Sequence, residues 1–391
     1  MLGAGINFMP SAFESIGYLY AGLIMTLITL LTIFTLYAIS YSVQKQTDTK
    51  DITYSSIGYN TYYMLGVFVD LSIVLALYLI CLAFFNYVVE MAVLFFTGLN
   101  TECENFNRYK ILFMTGIMIL FYFVSLKKDL GSLKYTSYAG VASVFYLIFL
   151  VIFLNFFIGD NLSKGTFNAR NNEYHKGVSM LLLAMSCQIN MVKVYTEMKV
   201  KSTMNILIVA LVASVVGGAI YSTVGFFGYR LFGESAKDKD IINIFSDKSS
   251  FFNVYLYEHH PNLKYLPSIA VIGAMIVLMG SFPLQINPAA STIVKLIASK
   301  ENANKVRIST ITIICLSIYI INFVPKLNLG TILGVVGAVF SNFLSFIAPC
   351  LYYIAAHRSF GVPSLISILL IISSVLFGVY MLYNIAISFT Q

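Results

Sequence analysis

Two stretches of the chain combine residue types that free backbone polar groups inside apolar surroundings. The first is Gly3-Ala4-Gly5-Ile6, followed by Pro10 and Glu14, in the run from Met1 to Gly17. The second is Ser186-Cys187-Gln188-Ile189-Asn190, set in the apolar run Met180 to Met191. A helix broken at such points exposes amide N–H groups at one half-helix end and carbonyl groups at the other, and these suit an anion and a cation respectively. In each stretch close helix packing or helix-to-helix hydrogen bonding is the plainer alternative. Glu14, one turn past Pro10, is a candidate proton relay or a vestibule carboxylate in contact with water.

This is chemistry of binding, not of making and breaking bonds. The sequence has no phosphate-cradling Gly-rich loop with Lys-Ser/Thr, no Gly-x-Ser-x-Gly elbow and no paired metal-ligand histidines on one helix. His175, His259, His260 and His357 all fall in polar connecting segments. We expect no enzyme, no cofactor and no metal site. Cys81, Cys103, Cys187, Cys315 and Cys350 make no disulfide framework, since only Cys103 lies in a loop.

The elements that hold these stretches must cross a membrane. Hydrophobic residues make up 59% of the 391 positions and charged residues 10%, where a soluble chain carries about 25%, and the mean hydropathy is +0.83. The net charge of +7 is spread over short segments between apolar runs, without a basic stripe, so the expected partner is a lipid bilayer and not nucleic acid. A span needs about 20 apolar residues. Cutting at polar segments gives about eleven: the opening stretch to Gly17, then Tyr18 to Val43, Tyr62 to Phe96, Tyr109 to Leu126 and Tyr135 to Ile158. After the polar loop 159–176 come Gly177 to Tyr195, Asn205 to Phe232, Tyr265 to Ile297, Ile308 to Val324, Leu329 to Ala356 and Pro363 to Phe389.

With the N-terminus inside, Lys193, Lys199, Lys201, Lys295 and Arg307 fall on the inner side close to span ends, where the positive-inside rule acts most strongly. The sequon Asn161-Leu162-Ser163 then lies outside, and Asn161 is a candidate glycosylation site. The first and sixth spans, which carry the two interruptions, each open a set of five. Paired interruptions at corresponding places are the best pointer in a sequence to a midplane binding site.

These residues resemble the amino acid/auxin permease family of eukaryotic amino acid transporters, most closely its vacuolar branch. The resemblance covers nearly the whole chain. It rests on Gly3-Ala4-Gly5-Ile6 with Pro10, Phe13 and Gly17, on Asp70-Leu71-Ser72-Ile73-Val74 with Glu90, and on Cys187 to Tyr195 with Glu197. Gly228-Tyr229 with Phe232-Gly233, Phe282-Pro283-Leu284-Gln285-Ile286-Asn287-Pro288, and Pro349 with Leu351-Tyr352 complete it.

The resemblance implies an all-α integral membrane protein with a five-plus-five inverted-repeat core of the leucine-transporter type, broken helices 1 and 6, and an eleventh helix. It implies one transporter domain over 1–391, with repeats at about 1–158 and 177–356 and the extra helix at about 363–389. Amides around Gly3, Ala4, Gly5 and Ile6 would hold a substrate carboxylate. Carbonyls around Ser186, Cys187 and Gln188 would hold its ammonium group, with Gln285 and Asn287 as gate or lining groups.

The implied function is secondary transport of an amino acid by alternating access, in a vacuolar, lysosomal or plasma membrane. The alternative is a membrane sensor that binds an amino acid without moving it. The family has some ten residues of helix before the Gly-Ala-Gly segment, where this sequence starts at Met1. Gln188 stands where many relatives have His, and Ala274 and Ile276 stand where sodium-using relatives place hydroxyls. The coupling ion expected is therefore H+ in preference to Na+, or none.

Overall fold

In a computed structural model, the protein is described over residues 4–46, 52–97, 104–127, 134–158, 174–237, 239–247, 250–299, 301–323, 329–357 and 361–390. Every regular element among these residues is helical. Among the described residues ten helices are long and apolar enough to cross a membrane; with no water in the hydrocarbon, a lipid-facing segment must satisfy its backbone groups within itself, which a helix does. The protein is a multi-pass membrane protein.

The chain opens with a 3-10 turn, Ala4–Phe8, and the short helix α1, Met9–Ile16. This is why the opening stretch, counted as a span in the sequence, is not among the ten. Pro10 sits in the first turn of α1, where its missing N–H has no helical partner to lose. Gly17 separates α1 from the next helix at φ 87°, a conformation that favours glycine, and α2, Tyr18–Gln44, follows. On α2, Leu19, Leu23, Leu27 and Leu30 are exposed along one stripe that faces lipid. Thr26 and Thr29 return their hydroxyls to the carbonyls of Gly22 and Met25 at 2.8 Å, so neither leaves a donor bare in the apolar layer.

The polar segment after α2 contains a helix that the hydrophobic pattern does not reveal: α3, Tyr54–Thr61, begun by a capping box between Thr53 and Ser56. Next come α4, Tyr63–Thr97, α5, Glu104–Leu126, and α6, Lys134–Ile158. The acids of α4 have local partners: Tyr59 donates to Asp70 at 2.9 Å and Lys110 pairs with Glu90 at 3.7 Å. The sixth span is split into α7, Tyr174–Ala184, and α8, Gln188–Glu197. After α9, Thr203–Phe232, a 3-10 turn leads to two short helices, α10, Ile241–Ser246, and α11, Phe251–His259.

The long helix α12, Tyr265–Ile297, runs through Pro283 and Pro288. Two of the carbonyls around them receive side-chain donors: Asn287 bonds the Pro283 carbonyl at 2.8 Å and Thr292 that of Pro288 at 3.0 Å. Then follow α13, Ala303–Ile321, and α14, Leu329–Val335; two π-helical segments, Val336–Ser341 and Phe343–Ile347, lead into α15, Ala348–Ala356, and α16, Val362–Thr390, closes the chain. Two apolar clusters form the core. The larger draws on α1, α6, α7 and α12 and the smaller on α3 and α8, while α2, α4, α9 and α15 contribute residues to both. Leu79 and Leu183 pack against both.

Candidate functional site

Between these clusters lies a cavity of about 580 Å³. The two stretches singled out in the sequence meet on its wall: Gly5 and Phe8 come from the first, and Ala184, Ser186 and Cys187 from the second. At the second break the helical ladder lapses. The Met185 N–H still reaches the Leu181 carbonyl at 3.2 Å, but the Ser186 N–H donates to the carbonyl of Leu183, three residues back, and bonding resumes where the Asn190 N–H donates to the Cys187 carbonyl at 3.0 Å. The stretch Met185-Ser186-Cys187 is therefore open backbone at membrane depth, and such backbone is stable only in protein or beside a wet cavity.

Gln188 holds this break from behind. Its Oε1 accepts from the Cys187 N–H at 2.8 Å and its Nε2 donates to Thr35 Oγ1 at 3.2 Å. The side chain is fully buried and does not line the cavity. Ser186 shares a hydrogen bond of 2.8 Å with Ser345, from the second π-helical segment, and thereby ties the break to the helix facing it.

The remaining wall is mostly apolar, from Ile73 to Phe84 on α4 and from Leu333 and Leu344 opposite. Its polar side chains are few, among them Tyr87, Tyr221, Gln285 and Asn190, and no Asp, Glu, Lys, Arg or His is found among the described lining residues. An uncharged wall beside broken-helix termini suits a ligand whose own charges sum to zero, because the half-helix ends can meet a carboxylate and an ammonium group without a buried net charge. The cavity opens past Asn190, Leu284 and Pro288, which are exposed. At its other end Phe8 and Tyr87 are buried with ring centroids 6.2 Å apart.

The structure brings Gly5, Ser186, Cys187 and Gln285 to one cavity. Ala4 shares the 3-10 turn with Gly5. Ile6 points away from it into a small void of about 30 Å³ with Asn7, Ser143, Ile242 and Ala274. Asn287 does not line the cavity either; its Oδ1 accepts from Arg307 at 2.6 Å, and the same guanidinium donates to the carbonyls of Ser125, Leu126 and Lys127 at 3.2 Å each. Glu14 is buried in α1, outside the lining. Gly3 and Asn161 lie outside the described residues. Sequence reasoning did not single out Phe8, Tyr87 or Tyr221, since an aromatic in an apolar span carries no mark of the cavity it faces.

Comparison with known proteins adds a family and several relatives. The family model described as transmembrane amino acid transporter protein matches residues 1–389. The chain is 24% identical over 370 residues to vacuolar amino acid transporter 5 of Schizosaccharomyces pombe, covering 92% of this chain and 82% of that one. It is 21% identical over 377 residues to sodium-coupled neutral amino acid transporter 7 of Danio rerio, covering 92% and 77%. Against solute carrier family 38 member 10 of Mus musculus the identity is 21% over 380 residues; 92% of this chain matches only 32% of that protein, so the chain spans about a third of its length.

Proposed function

The chain belongs to the transmembrane amino acid transporter family, and from that premise we propose that it carries neutral amino acids across a membrane by alternating access around the 580 Å³ cavity. The observation that carries this reading is the convergence of Gly5 and Phe8 with Ala184, Ser186 and Cys187 on one uncharged wall. Amides around Gly3, Ala4, Gly5 and Ile6 receive the substrate carboxylate, and carbonyls around Ser186 to Gln188 receive the ammonium group. Gln285 faces the substrate side chain. A single transporter domain results, built of two inverted five-span halves at about 1–158 and 177–356, with the interrupted opening stretch as one member of the first half and α16 as the added helix.

Coupling is to H+, or transport is facilitative, although relatives are named sodium-coupled. The void between the opening turn and α12 supports this: among the described lining residues the side-chain oxygens are those of Asn7 and Ser143, the rest being apolar, where a hard cation needs several oxygen ligands. Glu14 is the proton carrier in this reading. The similarity to a vacuolar protein supports a vacuolar or lysosomal membrane, with the plasma membrane as the other candidate. Uptake of a panel of amino acids into proteoliposomes, with pH and sodium varied independently, tests the proposal. Saturable binding without uptake would replace transport by sensing, and uptake that requires sodium would remove the coupling assignment.

A further inference from the structure

The closed end of the cavity is held by a contact that lies outside the two interruptions. Asp240, just before α10, is 1% exposed, and Tyr87 of the cavity wall donates its hydroxyl to Asp240 Oδ1. The same Oδ1 accepts the N–H groups of Ile242 and Asn243 at 2.9 Å, as an N-cap of α10, and Oδ2 accepts from Asn243 Nδ2 at 2.7 Å. One carboxylate thus joins a short helix outside the spans to the aromatic pair that shuts the cavity.

We propose that Asp240 is a proton-binding site whose occupancy holds this end of the cavity closed through Tyr87. Protonation needs no co-reactant: a proton from solvent adds to a carboxylate oxygen and no other bond changes.

The groups around Asp240 leave its charge uncompensated. On α4 its partner is Tyr87, and Glu90, three residues further along that helix, is paired with Lys110 at 3.7 Å. Lys239 is paired with Asp247 at 3.7 Å. The preceding 3-10 turn carries Glu234, α11 carries Tyr255, Tyr257, Glu258 and His259, and the opening 3-10 turn carries no titratable group. On α12, titratable side chains occur only towards the ends, at Tyr265 and Lys295, while Ala270, Ala274 and Leu278 share a void with Ile242. Asp240 has no ion pair among the described residues. Burial therefore outweighs the hydrogen bonds and pushes its carboxyl up from the usual range to about 6. Opening would hydrate the carboxyl and return it to that range, so the closed form binds the proton more tightly and acid favours closure.

The inference rests on the cavity being an alternating-access pathway, so its test reads conformation and not transport. Cys187 lines the cavity, and in a Cys103→Ser background a membrane-impermeant maleimide can be applied from the α10 side or from the open side. The ratio of the two labelling rates cancels the thiol's own pH dependence. We expect this ratio to fall about tenfold between pH 7 and pH 5, and to be low and flat in Asp240→Asn, which keeps the cap without the charge. Tyr87→Phe should raise the ratio at pH 5. A ratio that rises with acid, an unchanged slope in Asp240→Asn, or a Tyr87→Phe profile identical to wild type would each overturn the proposal. If Cys187 is never reached from the α10 side, the proposal and the alternating-access reading fall together. If the ratio responds as expected and no amino acid is taken up in a separate assay, the transport reading fails and the proton site stands.

Discussion

Gly5 of the opening 3-10 turn packs directly against Ala184, the last residue of α7 before the break to α8. A Cβ built on Gly5 would lie 3.2 Å from both the Cα and the Cβ of Ala184. That approach lets the two stretches share one cavity wall, and it leaves almost no room for a side chain. Gly5→Leu should therefore part them and cut uptake by at least about tenfold, or about 1.4 kcal/mol, with the protein still monodisperse in detergent. Wild-type uptake in this variant would show that the contact does not define the site.

The bond from the Cys187 N–H to Gln188 Oε1, 2.8 Å long, keeps a freed amide satisfied at membrane depth. Gln188→Met preserves volume and removes both partners of that side chain. A buried amide left without an acceptor costs about 1–3 kcal/mol, so a lower melting temperature is expected together with a raised KM. A variant that melts as wild type does would mean that the break supplies its own partner.

Arg307 donates to three carbonyls around the end of α5 and to Asn287. Arg307→Lys cannot span four acceptors from one ammonium group, and hydrogen bonds from a charged donor are worth about 1.5–3 kcal/mol each. Both Arg307→Lys and Asn287→Ala should lower thermal stability while leaving KM within about twofold, a span of about 0.4 kcal/mol. A KM shift with unchanged stability in Asn287→Ala would return that residue to the substrate path.

The break between α7 and α8 was legible in the sequence because polar residues inside an apolar run contradict a continuous helix, and the Gly and Pro of the opening stretch coincide with a 3-10 turn leading into a short helix. The roles of Asn287 and Asp240 were not legible. Asn287 sits in a proline-rich stretch that looks like a gate, and its partner Arg307 lies on the next helix. Asp240 is one acid in the charged run Lys237-Asp238-Lys239-Asp240, and its partner Tyr87 lies 153 positions earlier. Helix α3 was hidden for another reason: a segment that begins with a Thr53–Ser56 capping box and buries only Tyr54, Ile57 and Gly58 has too short an apolar face to register as periodicity.

Glu14, at 6% exposure in α1, is the carrier in the proton-coupled reading. Glu14→Gln keeps its size and removes its charge. Accumulation driven by an imposed pH gradient should fall to the level of a protein-free liposome, while exchange of labelled for unlabelled substrate persists. Gradient-driven accumulation at the wild-type rate would take Glu14 out of the pathway.

Asp240 also sets a direction for stability against pH. Its carboxyl titrates near 6 when folded, above the value of about 3.9 for a free aspartate. Between these values the folded protein binds the proton that the unfolded chain has released, so stability is highest below about 4 and is lost as pH rises through 6. The neutral Asn of Asp240→Asn never carries the buried charge and retains an acceptor for the N-cap. This variant should melt above wild type at pH 7.5 by the equivalent of at most about 3 kcal/mol, and the difference should shrink steadily as pH falls to 4. Melting curves in detergent over that range test the sign directly. A wild type that outlasts the variant at pH 7.5 would mean that the hydrogen bonds from Tyr87, Ile242 and Asn243 outweigh the cost of burying the charge.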